Sequence, residues 1–209
     1  MTFSSSLTDQ NPTLVLDASV IINLLATGHS HAILRALNAP LIVTDNVVRE
    51  IERGAATGRS DFDLLKRTLN DQILRLERID GDILKDFFDL VSGSTSDTLG
   101  DGEAATLALA HGRQFIAAID EKKATRIAAE RFGTLKLVTT VDILAHEAVR
   151  SCLGAERLAE AIFDALRRAR MQVREYQFDW VAHTIGAARV EACPSLRKLA
   201  RRKPAIPQD

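Results

Sequence analysis

The chain is poor in cysteine, aromatic rings and long apolar runs. Only Cys152 and Cys193 occur in 209 residues. Their wide separation matches neither a zinc-ligand spacing nor a disulfide framework, and a reducing compartment fits that usage. Aromatic residues make up 5% of the chain, too few for an extended base-stacking platform. No apolar run approaches the roughly 20 residues needed to span a bilayer. The opening Met1–Ser6 also lacks the charged and apolar regions of a signal peptide, so the expectation is a cytoplasmic protein with no membrane partner. Histidine offers no pattern either: His29 and His31 diverge on a helix, and His111, His146 and His183 have no partner spacing. Ser19 is not embedded in a nucleophile elbow, and Gly100-Asp101-Gly102 lacks the lysine and spacing of a phosphate-binding loop. The paired acids and distal lysine of a response-regulator switch are missing too.

Of the residues present, 46% are hydrophobic and 26% charged, enough to bury one domain of about 150 residues plus an appendage. Charge is uneven: 15 Lys and Arg face 21 Asp and Glu through residue 149, and 12 face 7 from Arg150 onward. A basic C-terminal part suits a polyanion or an acidic partner, and equally a solvated helical face. Short β-rich runs alternate with longer helical patterns, which predicts parallel strands joined by helical crossovers. Strands are expected near residues 14–17, 41–43, 73–79, 115–119 and 135–138. The result is a three-layer α/β/α sandwich around a central parallel five-stranded sheet, followed by a C-terminal helical extension. Residues 1–12 read as a flexible start, 13–150 as the α/β domain, and 151–209 as a basic helical extension with a mobile tail. Within that extension, Leu158, Ala161, Ile162, Ala165, Leu166 and Ala169 form an amphipathic stripe that calls for core packing.

The acids carry the chemistry. Asp17 follows Leu14-Val15-Leu16, and a carboxylate where a parallel strand runs out lies at the crevice in which open α/β sheets bind ligands. Asp120 follows Phe115-Ile116-Ala117-Ala118-Ile119 in the same way. Glu50 lies on a helix beginning near Val47, with Glu52 as a nearby competitor, and Glu103 lies in the first turn of a helix that ends at Gly112. Several separated acids aimed at one crevice suggest a cation site. Ser19 could hold Asp17 or cap its helix, Asn23 reads as structural, and Thr140 could serve as a simple helix cap.

Four segments in this order resemble the compact prokaryotic branch of the PIN-domain family of metal-dependent nucleases. They are Leu14-Val15-Leu16-Asp17-Ala18-Ser19-Val20-Ile21-Ile22, Val47-Val48-Arg49-Glu50-Ile51, Gly102-Glu103-Ala104-Ala105-Thr106-Leu107-Ala108-Leu109-Ala110, and Ile119-Asp120 with its following helix. The resemblance covers about residues 13 to 150. It implies that Asp17, Glu50, Glu103 and Asp120 bind Mg²⁺ or Mn²⁺ and catalyse phosphodiester hydrolysis, with Ser19, Asp101 and Glu121 in support. The family often carries Asp where this chain has the longer Glu103, and Asp101 is the alternative ligand beside it. Independently, Mg²⁺ and Mn²⁺ prefer hard oxygen ligands.

The implied activity is a metal-dependent endoribonuclease, the toxin of a toxin–antitoxin pair. RNA is the expected partner with DNA still open, alongside an antitoxin protein or a second copy in a homo-oligomer. Lys122, Lys123 and Arg126, together with the C-terminal arginines, are the candidates for steering a nucleic-acid backbone. The competing reading is a noncatalytic nucleic-acid- or protein-binding module with the same architecture.

Overall fold

A computed structural model describes residues 3–7, 12–55, 61–94 and 96–202. Much of the start expected to be flexible, residues 56–60 of a small-residue loop, and residues 203–209 of the basic tail lie outside the described residues. Five strands, β1 (Leu14–Leu16), β2 (Leu41–Thr44), β3 (Arg75–Glu77), β4 (Ile116–Ala118) and β5 (Leu137–Val138), form one parallel sheet in the order β3-β2-β1-β4-β5. The first strand is therefore central and pairs on both sides, Leu14 opposite Leu41 and Leu14 opposite Ile116. Strand order reverses direction at β1, so the carboxyl ends of β1 and β4 flank the topological switch point where such sheets open a crevice.

Side chains alternate between the two faces of a strand, and the core divides accordingly. Leu14, Leu16, Leu41, Val43, Ile116 and Ala118 join one buried cluster, whereas Val15, Ile42 and Ala117 join the other. Helices α1 (Ala18–Ala26), α2 (Ser30–Ala36), α3 (Asp45–Ala55) and α4 (Asp61–Asn70) supply the first face. Helices α5 (Ile83–Val91), α6 (Asp101–Arg113) and α7 (Lys122–Arg131) cover the second. Edge strand β3 is shorter than the sequence reading because Gln72 turns in the left-handed region (φ 55°) and Leu76 faces solvent.

Beyond β5 the chain adds α8 (Thr140–Ala145), α9 (Glu147–Arg168), a 3-10 turn at Glu175–Gln177, α10 (Phe178–Ile185), α11 (Ala187–Ala192) and α12 (Pro194–Arg202). Leu158, Ala161, Ile162, Ala165 and Leu166 from the amphipathic stripe are buried in the same cluster as Leu14 and Leu16. Residues 194–202, read from sequence as part of a basic tail, form α12 and bury Leu196 completely. Residues 5 and 6 are likewise anchored: the Ser5 hydroxyl donates to the Asp142 carbonyl (2.7 Å), and the Ser6 amide and hydroxyl donate to Asp142 Oδ1 (3.2 and 2.9 Å). Among the described residues, no helix is long and apolar enough to cross a membrane.

Candidate metal centre

Asp17 leaves the buried end of β1 in an extended conformation and caps α1. Its Oδ2 accepts the Ser19 amide (3.1 Å) and hydroxyl (2.6 Å), so Ser19 orients the carboxylate rather than capping a helix of its own. The other oxygen, Oδ1, is buried with no hydrogen-bond partner, in a residue only 3% exposed. A buried carboxylate oxygen without a donor is costly, which marks it as the place where a ligand from outside the chain belongs. Burial pushes the Asp17 carboxyl up, offset in part by its hydrogen bonds from Ser19 and Ala18, and the nearby Glu121 charge pushes it further.

Asp120 follows β4 and is equally buried, but fully supported. Its Oδ2 accepts Asn23 Nδ2 (2.7 Å) and the Thr140 hydroxyl (2.5 Å), and its Oδ1 accepts the Thr140 amide (2.9 Å). Asn23 is thus more than a structural filler. Thr140 does not cap α8 either; that role falls to Thr139, whose hydroxyl accepts the Asp142 amide. Burial raises the Asp120 carboxyl, its three donors lower it, and the Asp17 charge raises it again.

Glu50 and Glu103 arrive on neighbouring helices. Helix α3 packs against α6, and Gly102 leaves room there for the Glu50 carboxylate: a Cβ would collide with Glu50 Oε2 and would touch Val47 Cγ2 at 3.5 Å. Glu103 lies in the first turn of α6 and accepts the Gly100 amide (3.2 Å). Burial, and after it the Asp17 charge, pushes the Glu103 carboxyl from 4.5 up to about 7, with Glu121 and Glu50 adding to the effect. Glu50, at the exposed rim, is raised by partial burial and by Asp17, against a lowering from Arg53. Asp101 is exposed at the start of α6 and adds to the charge felt by Glu50.

These mutual effects bring Asp17, Glu50, Glu103 and Asp120 into one electrostatic neighbourhood with Glu121 at its edge. Glu121 caps α7 through the Lys123 amide (3.4 Å) and also accepts Gln172 Nε2 (3.4 Å). Among the described residues, no three His, Cys, Asp or Glu side chains close directly around one point. An ion shared by these acids would keep water between itself and some of them, as Mg²⁺ commonly does. The donor set, all carboxylate oxygen with one buried oxygen left over, fits such an ion.

The family relationship follows. A family model described as a PIN domain matches residues 13–186. The chain belongs to the PIN-domain family. PIN domains are in general nucleases and typically use divalent metals. No individually curated protein and no solved structure matches the chain significantly.

The expected cations are less concentrated at the crevice than the acids. Lys122 is exposed and Lys123 half-buried in the first turn of α7. Arg126 is engaged by Glu130 (2.9 Å), the Ser96 carbonyl (3.1 Å) and, at 3.9 Å, Asp97. A different cation stands closer: Arg174 donates to the Asp120 carbonyl (2.8 Å) and the Thr125 hydroxyl (3.1 Å). No spacing in the sequence points to Arg174, Asn23 or Gln172, because each meets a partner 49 to 97 positions away.

Proposed function

We propose that this PIN domain is a Mg²⁺- or Mn²⁺-dependent endoribonuclease that hydrolyses RNA phosphodiester bonds, and that it acts as the toxin of a toxin–antitoxin pair. The observation that carries the reading is Asp17 Oδ1, a buried and unpartnered carboxylate oxygen whose charge is felt by Glu50, Glu103 and Asp120. Four acids that raise one another's proton affinity need a positive charge among them to ionise together. When bound, Mg²⁺ or Mn²⁺ supplies that charge, polarises the phosphoryl oxygen and generates a nucleophilic water at neutral pH.

The chain's own groups do the positioning. Ser19 fixes the rotamer of Asp17, while Asn23 and Thr140 fix that of Asp120, so the two deepest acids are preorganised on rigid strand ends. Glu50 and Glu103, on helices at the rim, complete the acidic wall. Arg174 holds the Asp120 backbone in place and puts a cation beside the acids, where a phosphate would approach. The preference for RNA over DNA and the toxin role come from the family's compact prokaryotic branch. An inhibitory protein partner would act by covering the acidic crevice.

The test uses fluorescent single-stranded RNA and DNA with Mg²⁺, Mn²⁺ or EDTA. RNA cleavage should require metal and disappear in Asp17→Asn, while the exposed Glu52→Gln on the same helix as Glu50 retains it. Cleavage that survives EDTA, or an Asp17→Asn variant as active as the parent, would overturn the assignment. Co-expression with the product of the adjacent reading frame should yield a complex with suppressed activity; an active, uncomplexed chain would remove the toxin role alone.

A further inference from the structure

Behind the acidic crevice lies a second concavity of about 500 Å³, bordered by Phe3, Leu137, Val138, Thr125, Arg174 and Tyr176. That volume falls in the usual range for small-ligand sites, roughly 300–1,000 Å³. Its walls combine aliphatic side chains and two aromatic rings with a few polar groups, and the Phe3 and Tyr176 centroids lie 5.9 Å apart. Tyr176 is 64% exposed, although it is the chain's sole tyrosine and large aromatics are scarce. Among the described residues Phe88, 56% exposed, is the other strongly exposed ring, and it lies on α5, away from this concavity.

Two connections tie this concavity to the acids. Ile119 lines it, and the next residue, Asp120, belongs to the crevice. Arg174 is shared: it borders the concavity while donating to the Asp120 carbonyl. The carboxylate that also lines it, Asp142, is occupied by Ser6, Thr139 and, at 3.4 Å, Gln177, all of them donors. It therefore presents a satisfied surface rather than a free acceptor.

We infer that this concavity receives one nucleobase of the single-stranded substrate, stacked on Tyr176 beside Phe3, with Arg174 facing the adjoining phosphate. Every base has a π-face that an exposed ring can cover, and one stacked base gains enough from such a contact to set affinity. A low aromatic content argues against a long stacking platform but leaves room for one base. The inference rests on the ribonuclease reading and gives it a subsite that holds the strand in register.

The experiment uses the full chain carrying Asp17→Asn in EDTA, so that binding is read without cleavage. Labelled single-stranded hexanucleotides of A, C, G and U are titrated, with anisotropy reporting affinity and the ring resonances of the chain's sole tyrosine, read by NMR, reporting contact. Binding should shift the Tyr176 ring resonances upfield, as a stacked base does. Tyr176→Ala should weaken affinity by about tenfold and narrow the differences among the four oligonucleotides, while Tyr176→Phe keeps both within about twofold. Because Tyr176 is exposed, circular dichroism should show the fold unchanged in both variants. Oligonucleotide binding with unshifted Tyr176 ring resonances and an unaltered Tyr176→Ala affinity would overturn the subsite and leave the nuclease reading standing. Failure to bind any oligonucleotide, with no RNA cleavage by the parent chain, would overturn both.

Discussion

Asp17 and Asp120 are buried to the same degree, yet one carboxylate is left with an empty oxygen and the other is saturated. The difference lies in Asn23 and Thr140, which donate to Asp120 and not to Asp17. Removing such an orienting partner typically costs 10–100-fold in metal affinity or activity. Thr140→Val should therefore weaken Mn²⁺ binding by about that factor in a calorimetric titration, with the circular dichroism spectrum preserved; unchanged Mn²⁺ affinity would refute the role. Glu103 provides a second handle. Its carboxyl is raised from 4.5 to about 7, so the folded chain binds that proton more tightly than the unfolded chain does. The stabilisation is complete below about 4.5 and is lost as pH climbs through about 7. Asp17 and Asp120 act in the same direction. In EDTA, thermal melts should show a falling Tm between pH 5 and pH 8, and Glu103→Gln should flatten the fall. A Tm that rises over this window would contradict the proposed burial of these acids.

Helix α6 carries two glycines whose replacement should have opposite signatures. At Gly102 the added Cβ meets the flexible end of Glu50, whereas at Gly112 it meets the branch of buried Ile83 (Cγ1 at 2.8 Å) on the packed side between α5 and α6. Gly102→Ala should thus lower cleavage and leave Tm nearly unchanged. At Gly112, overpacking of about 1–3 kcal/mol outweighs a helix-propensity gain of about 1 kcal/mol. Gly112→Ala should reduce Tm and spare activity measured well below it. Equal effects of the two variants on both readouts would show that Gly102 is a packing position only. The sequence made the elements that carry the acids visible, because Asp17 and Asp120 each end an apolar strand and Glu50 and Glu103 each lie on a periodic helix. The supporting groups were hidden, since Asn23 reaches Asp120 across 97 positions and Arg174 across 54. Contacts of that range are set by sheet order, which periodicity does not encode. The expected strand over 73–79 is shorter in the fold: Ile73 and Leu74 break the alternation at its start, and a left-handed turn at Gln72 delays the strand to Arg75.

At the scale of the whole molecule, the C-terminal helices close the same core that supports β1. Leu196 on α12 is fully buried with Val181, Ile185 and Val190 in one cluster that reaches Leu14 and Leu16. Leu196→Ala should cost about 2 kcal/mol or more in chemical denaturation, even though α12 lies outside the span matched to the family. A loss below about 0.5 kcal/mol would mean that α12 is an ornament on an already complete core. Charge also looks different once the fold is known, because part of the arginine excess after residue 150 is spent locally: Arg150 pairs with Glu147, Arg168 with Asp164, and Arg167 lies over Phe163. Finally, the Asp142 carboxylate gathers Ser6, Thr139 and Gln177 into one knot, tightened by the Gln177 amide donating to the Thr139 hydroxyl, which joins the first described residues to the turn that carries Tyr176. A purification tag fused ahead of Phe3 would pull on that knot, so assays of substrate choice should compare tag placement at both termini.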